Sequence, residues 1–185
     1  MPGLREIRIL IVDDNAQMRS LIRSVLRGVG IGKVFEAGGV EEGLEMLRIQ
    51  PVDIVLLDFA MKPLDGLAFA SRVRQFSRSP APYVALIMMT CHAHISRVAA
   101  ARDAGVNSFL AKPISGRSLV EHILAAINDG RPFVRAGAYF GPDRRRFSQP
   151  HYRGPKRRSG EAEDVADDLD IDEAFSAAPR TARAS

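Results

Sequence analysis

The sequence predicts an α/β protein built as a doubly wound, five-stranded parallel sheet. Three observations predict it: five short apolar runs of strand length, five intervening segments of helical period, and polar residues gathered where the runs end. Strict alternation of strand and helix requires crossover connections, and crossovers give parallel strands covered on both faces.

The strands are read as Ile7–Val12, Lys33–Ala37, Asp53–Leu57, Tyr83–Met89 and Asn107–Ala111, whose length and Val/Ile content favour strand over buried helix. The first helix has the clearest period. Met18, Leu21, Ile22, Val25, Leu26 and Val29 fall on one face and Arg19, Arg23 and Arg27 on the other, until Gly28-Val29-Gly30 stops it. The later helices, Val40–Gln50, Asp65–Phe76, His92–Ala104 and Ser115–Asn128, are weaker in period but bounded by Pro51, Pro80-Ala81-Pro82, Gly105 and Gly130. In such a sheet a site lies at the carboxyl ends of the strands.

The length of 185 residues fits one domain and an appendage. Hydrophobic residues at 46% and charged residues at 26% are the balance of a soluble globular chain. No apolar run approaches the roughly 20 residues that span a bilayer, and the first residues carry no secretory pattern, so a cytoplasmic address without membrane contact is expected. A single cysteine, Cys91, excludes an internal disulfide and is expected to be a packed or half-buried thiol. The net charge of +4 is uneven: residues 1–130 are nearly balanced, Arg131 to Arg158 is basic and Glu161 to Glu173 is acidic. The expected organisation is a domain over 5–129, a basic, aromatic-containing tail over 130–160 and an acidic, then Ala/Arg-rich, disordered tail over 161–185.

The polar residues at the strand ends carry the chemistry. The first strand runs into Asp13-Asp14, the third into Asp58, the fourth into Thr90 and the fifth into Lys112-Pro113. Three converging carboxylates repel one another and raise each other's pKa unless a cation neutralises them. An oxygen-only cluster with open positions favours Mg²⁺. A lysine and a hydroxyl beside it suit the oxygens of a transferred phosphoryl group, so the parts support in-line phosphoryl transfer to a carboxylate.

The stretch Ile11-Val12-Asp13-Asp14-Asn15, the segment Leu56-Leu57-Asp58 through Pro63-Leu64-Asp65-Gly66, Thr90, and Phe109-Leu110-Ala111-Lys112-Pro113 resemble the receiver domains of two-component response regulators, of the stand-alone chemotaxis-receiver kind. The resemblance covers about residues 5–129. It implies the flavodoxin-like strand order 2-1-3-4-5, with Asp58 as phosphoacceptor. Mg²⁺ would be held by Asp13, Asp14, the Asp58 carboxylate and the backbone carbonyl of Ala60. Lys112 would pair with the phosphoryl group, the Lys112-Pro113 peptide would be cis, and Thr90 would hydrogen-bond a phosphoryl oxygen while Phe109 turns inward. The implied function is a phosphorylation-activated switch rather than an enzyme, dephosphorylating itself slowly. Its partners would be a histidine kinase or histidine phosphotransfer protein and a downstream protein, which reads the surface of the fourth helix, fifth strand and fifth helix. By the same resemblance Ala60 and His92 would border the path of the attacking water and set the phosphate lifetime.

Each motif also has a plainer account. Asp13-Asp14 suits a loop before a helix, and Asn15 can do the capping. Pro63-Leu64-Asp65-Gly66 is a turn in either account, Met88 and Met89 are core residues, and His92 and His94 do not share a helix face. His122 has no evident partner. The tail from Arg131 interleaves Arg with Phe and Tyr, as a DNA- or RNA-binding regulator would, but charge blocks are more often solvated segments. A haloacid-dehalogenase-type phosphohydrolase needs Asp-x-Asp after the first strand, where this chain has Asp13-Asp14-Asn15.

Overall fold

The computed structural model describes residues 4–91, 95–137 and 139–144. After a 3-10 turn at Leu4–Glu6 come β1 (Arg8–Val12), α1 (Ala16–Gly28), β2 (Lys33–Ala37), α2 (Val40–Ile49), β3 (Ile54–Asp58), α3 (Gly66–Val73), β4 (Ala85–Thr90), α4 (Ile95–Asp103), β5 (Ser108–Ala111), α5 (Gly116–Ile127), β6 (Phe133–Ala136) and β7 (Tyr139–Pro142). The first five strands form one parallel sheet in the order β2-β1-β3-β4-β5. No described helix is long and apolar enough to cross a membrane.

Element ends are set by caps rather than by hydrophobic period. The Asn15 side chain accepts from the amides of Gln17 and Met18, Asp65 from Ala68 and Ser115 from Ser118, so each of these residues lies just outside its helix. α3 therefore begins at Gly66 and ends at Val73, short of the Phe76 expected from the sequence. Leu21, placed on the apolar face by period, is exposed, whereas Ile22 and Leu26 are buried. Period assigns a stripe about 100° wide, and the sheet covers only part of it.

The pleat divides the strands between two layers. Ile9 and Ile11, Ile54 and Leu56, Ile87 and Met89, and Leu110 join Ile22 and Leu26 of α1 and Leu119 and Ile123 of α5 in one buried cluster. Leu10, Val12, Val55, Leu57, Leu86, Met88 and Phe109 alternate with them and are buried on the opposite face. Continuous apolar strands of this kind belong to a sheet covered on both sides.

At the amino ends of the strands a polar network replaces apolar packing. The Asn107 side-chain oxygen accepts from the Leu86 amide and from Arg74, and its amide donates to Asp129. Arg131 donates to both Asp129 oxygens and to the Asn107 carbonyl. Burial pulls the Asp129 carboxyl up, but the bonds and charge of Arg131 and the Asn107 amide outweigh it and hold the pKa below the ordinary 3.8. A carboxyl depressed on folding contributes stability that is complete above its unfolded pKa and is lost as pH falls through the folded one. Asp129→Asn is thus expected to cost about 1 kcal/mol at neutral pH, a difference that shrinks as pH falls past the ordinary carboxyl value and through the depressed folded one. Urea unfolding at neutral pH and in acid checks it.

The segment after Arg131, read from its charge as a tail, is folded as far as Pro142. β6 and β7 pair antiparallel from Phe133↔Pro142 to Ala136↔Tyr139, turning at Gly137, whose φ of 59° suits glycine. The rings of Phe133 and Phe140 meet Tyr83, and Phe140 also meets Phe76, all in edge-on contacts with centroids 5.2–5.3 Å apart. A lone two-stranded hairpin is marginal in water, and this packing is what holds it. The basic stretch from Arg145 and the acidic stretch from Glu161 lie outside the described residues.

Candidate functional site

Three carboxylates meet at the carboxyl edge of the sheet. Asp13 and Asp14 follow β1 and Asp58 closes β3. Because β1 and β3 are neighbours, with Val12 beside Leu57, the carboxylates converge: each offers one oxygen, all within 4.8 Å of one another. Asp13 and Asp58 are buried and Asp14 is exposed, so the cluster opens to solvent on one side.

Backbone and side-chain bonds fix each acid. Asp13 accepts from the Asn15 amide at 2.8 Å, Asp14 from the Lys62 amide at 3.1 Å, and Asp58 from the Ala60 amide at 3.1 Å. The Lys112 ammonium lies 2.8 Å from an Asp58 oxygen and 3.3 Å from an Asp13 oxygen. Its preceding strand, β5, is two strands from β3, and the cis Lys112–Pro113 peptide follows it as expected; Lys62–Pro63 is also cis. Burial opposes the Lys112 charge, but the bonds and charges of Asp58 and Asp13 outweigh it and raise the pKa, so the ammonium stays charged near neutrality. Burial, with a lesser contribution from the Asp58 charge, raises the Asp13 carboxyl, against the Asn15 amide and Lys112. A site with one lysine for three acids retains net negative charge, and its donors are all hard oxygens. This set fits Mg²⁺, which takes a few protein oxygens and keeps water for the rest.

Thr90 and Phe109 stand on one face. Met88 lies beside Phe109 and Thr90 beside Ala111, so the period of two sends the Thr90 and Phe109 side chains to the same side. Phe109 is buried, 2% exposed. Ala60 is exposed beside the cluster, while His92 and His94 lie outside the described residues. Met88 and Met89 are core. His122 Nδ1 lies 2.9 Å from the Ser118 carbonyl one helical turn back. Cys91, expected to be packed or half-buried, is exposed because β4 ends at Thr90 and the chain leaves the sheet there.

Two arginines border the site without a sequence motif to mark them. Arg19, read only as part of the polar face of α1, donates to the Asp13 carbonyl at 2.7 Å and to Glu36 at 3.3 Å. It braces the loop that carries the acids. Arg97 of α4 lies over the Phe59 ring, 5.1 Å from its centroid and one residue beyond Asp58. The weak period of α4 gave no signal for it.

With this geometry established, known proteins supply the comparison. The family model of the response regulator receiver domain matches residues 9–124. A probable chemotaxis protein CheY of Rhizobium etli is 33% identical over 122 residues, 66% of this chain and 90% of that one. The chemotaxis protein CheY of Pseudomonas aeruginosa is 32% identical over 117 residues, 63% of this chain and 93% of that one. Among solved structures, a putative response regulator from Chloroflexus aurantiacus superposes with a TM-score of 0.60 at 30% identity, covering 65% of this chain and 97% of that one.

Proposed function

Because this chain belongs to the response regulator receiver family, we propose that Asp58 is its phosphoacceptor and that Asp13, Asp14, Thr90 and Lys112 serve that one carboxylate. The chain is a two-component signalling switch and not a classical enzyme. Receiver domains accept phosphoryl groups from histidine kinases. The observation that carries the residue assignment is the Lys112 ammonium 2.8 Å from the Asp58 carboxylate, with two further acids around it.

In this reading an Asp58 oxygen attacks the phosphorus of a phosphohistidine, on a kinase or a phosphotransfer protein. The new P–O bond forms as the P–N bond breaks, and its electron pair returns to the imidazole. Lys112 follows the charge onto the phosphoryl oxygens, and the Thr90 hydroxyl donates to one of them. Asp13, Asp14, Asp58 and the Ala60 carbonyl would hold Mg²⁺, which when bound supplies the positive charge that offsets the acids and the incoming phosphoryl group. Attack of water on phosphorus later restores the carboxylate and releases inorganic phosphate, at a rate tuned by Ala60 and His92. Thr90 and Phe109, sharing a face, report the change to a downstream protein through α4, β5 and α5. The haloacid-dehalogenase alternative is set aside, since Asn15, in the place of its second acid, is occupied in capping α1.

The test is incubation with acetyl phosphate and Mg²⁺ followed by intact-mass measurement. The wild type is expected to gain one phosphoryl group and Asp58→Ala none. Equal gain by both, or none by the wild type, defeats the reading.

A further inference from the structure

We propose that the β6–β7 hairpin reads the state of Asp58 through α4: docked when Asp58 is unmodified, and loosened when it is phosphorylated. This inference rests on the phosphoacceptor reading of Asp58 and extends it to an output element outside the five-stranded sheet.

The helix is held at both ends by unlike contacts. At its first turns Arg97 lies over Phe59, the residue after Asp58. Beyond its last turn Gly105, with a φ of 82°, lies against the hairpin backbone to backbone. A Cβ on Gly105 would come 2.8 Å from the Phe140 carbonyl oxygen, and one on Gly141 would come 2.9 Å from the Gly105 Cα. The two backbones meet directly, flanked by the Arg74 side chain on the Gly105 side and the Tyr139 hydroxyl on the Gly141 side, so a shift of Gly105 by a few tenths of an ångström presses on the hairpin backbone or parts from it.

Between those ends α4 is weakly seated. Among its described side chains only Ala101 is buried, whereas α3 buries Phe69, Ala70 and Val73. An element with so little apolar anchorage moves at low cost.

Arg74 makes the base of the hairpin a junction. It is 5% exposed and donates to the carbonyls of Gly105, Pro82 and Val84 and to the Asn107 side chain, beneath the Phe133 ring at 5.0 Å. Asn107 stands two residues before Phe109 in the chain that enters β5. α4 therefore ends, and β5 begins, on the groups that carry the hairpin.

The experiment is hydrogen exchange of the full chain, read by mass, with and without beryllofluoride and Mg²⁺ as the stand-in for the phosphoryl group. Peptides covering 133–142 are expected to exchange about fivefold faster or more when it binds, and to respond less than twofold in Arg97→Ala, although peptides around Asp58 respond in both. Coupling is reciprocal, so Gly141→Ala, whose Cβ would press on both the Tyr139 hydroxyl and the Gly105 backbone and so loosen the docked hairpin, should lower the half-saturating beryllofluoride concentration about fivefold. The inference is overturned if Asp58 peptides respond while the hairpin does not, if Arg97→Ala leaves the hairpin response whole, or if Gly141→Ala leaves binding unchanged. If peptides around Asp58 do not respond at all, the phosphoacceptor reading fails and takes this one with it.

Discussion

Lys112→Met is expected to slow phosphorylation of the protein by acetyl phosphate by about 10²-fold or more. The ammonium is the one side-chain cation bonded to Asp58, at 2.8 Å, among the described residues, and it also reaches Asp13 at 3.3 Å. Its loss leaves two buried carboxylates facing each other and removes the charge that would follow the phosphoryl oxygens through the transition state. Methionine keeps much of the stem volume, so the change is electrostatic rather than a packing loss. The Asp13 carboxyl, already raised by burial, should rise further without its cation. The variant should accordingly be less stable than the wild type without Mg²⁺ and recover part of the difference when Mg²⁺ is added. Time courses of intact mass, with thermal melts in both conditions, measure this. A rate within threefold of wild type would remove Lys112 from the reaction.

Gly66→Ala is expected to have the largest effect of any methyl group added near the site. Gly66 opens α3, its amide donates to the Phe59 carbonyl at 3.0 Å, and a Cβ there would come 2.4 Å from the backbone oxygen of Asp58. That obstacle is backbone, which cannot rotate aside. Either α3 lifts off the sheet or the end of β3 shifts, at a cost of about 2–3 kcal/mol, seen as a fall in thermal midpoint of roughly 6–12 °C. Displacement of the nucleophile should also slow phosphorylation of the folded fraction about tenfold or more, since misplacement by an ångström is costly in an in-line transfer. If Gly66→Ala melts and reacts as the wild type does, the close approach of α3 to Asp58 is not as described. The Pro63-Leu64-Asp65-Gly66 turn is thus more than a connection, because its glycine sets how near a helix can stand to the reacting strand.

Much of this site was legible in the sequence because its residues sit where apolar runs stop. A parallel sheet directs every such end to one edge, so Asp13, Asp14, Asp58, Thr90 and Lys112 could be assembled from strand boundaries alone. Family resemblance then supplied the strand order, which composition and period do not contain. Arg19 and Arg97 were not legible. An arginine on a polar helix face has the same sequence signature whether it faces water or braces the loop beside an acid.

The sequence by itself determined the alternation of strands and helices, the cap at Asn15, and the set of residues at the carboxyl edge. Each follows from interactions local in the chain: side-chain period, a hydrogen bond to an amide two or three residues on, or the end of an apolar run. Tertiary structure alone decided the fate of residues 131–143. Their arginines argue for a solvated tail, and two short strands cannot hold each other in water. They fold because Arg74, Phe76, Tyr83 and Gly105, from distant parts of the chain, give the rings of Phe133 and Phe140 and the backbone of Gly141 a surface to cover. A pattern read along the chain describes only the segment's own preference, and here the deciding free energy lies in contacts with residues more than thirty positions away.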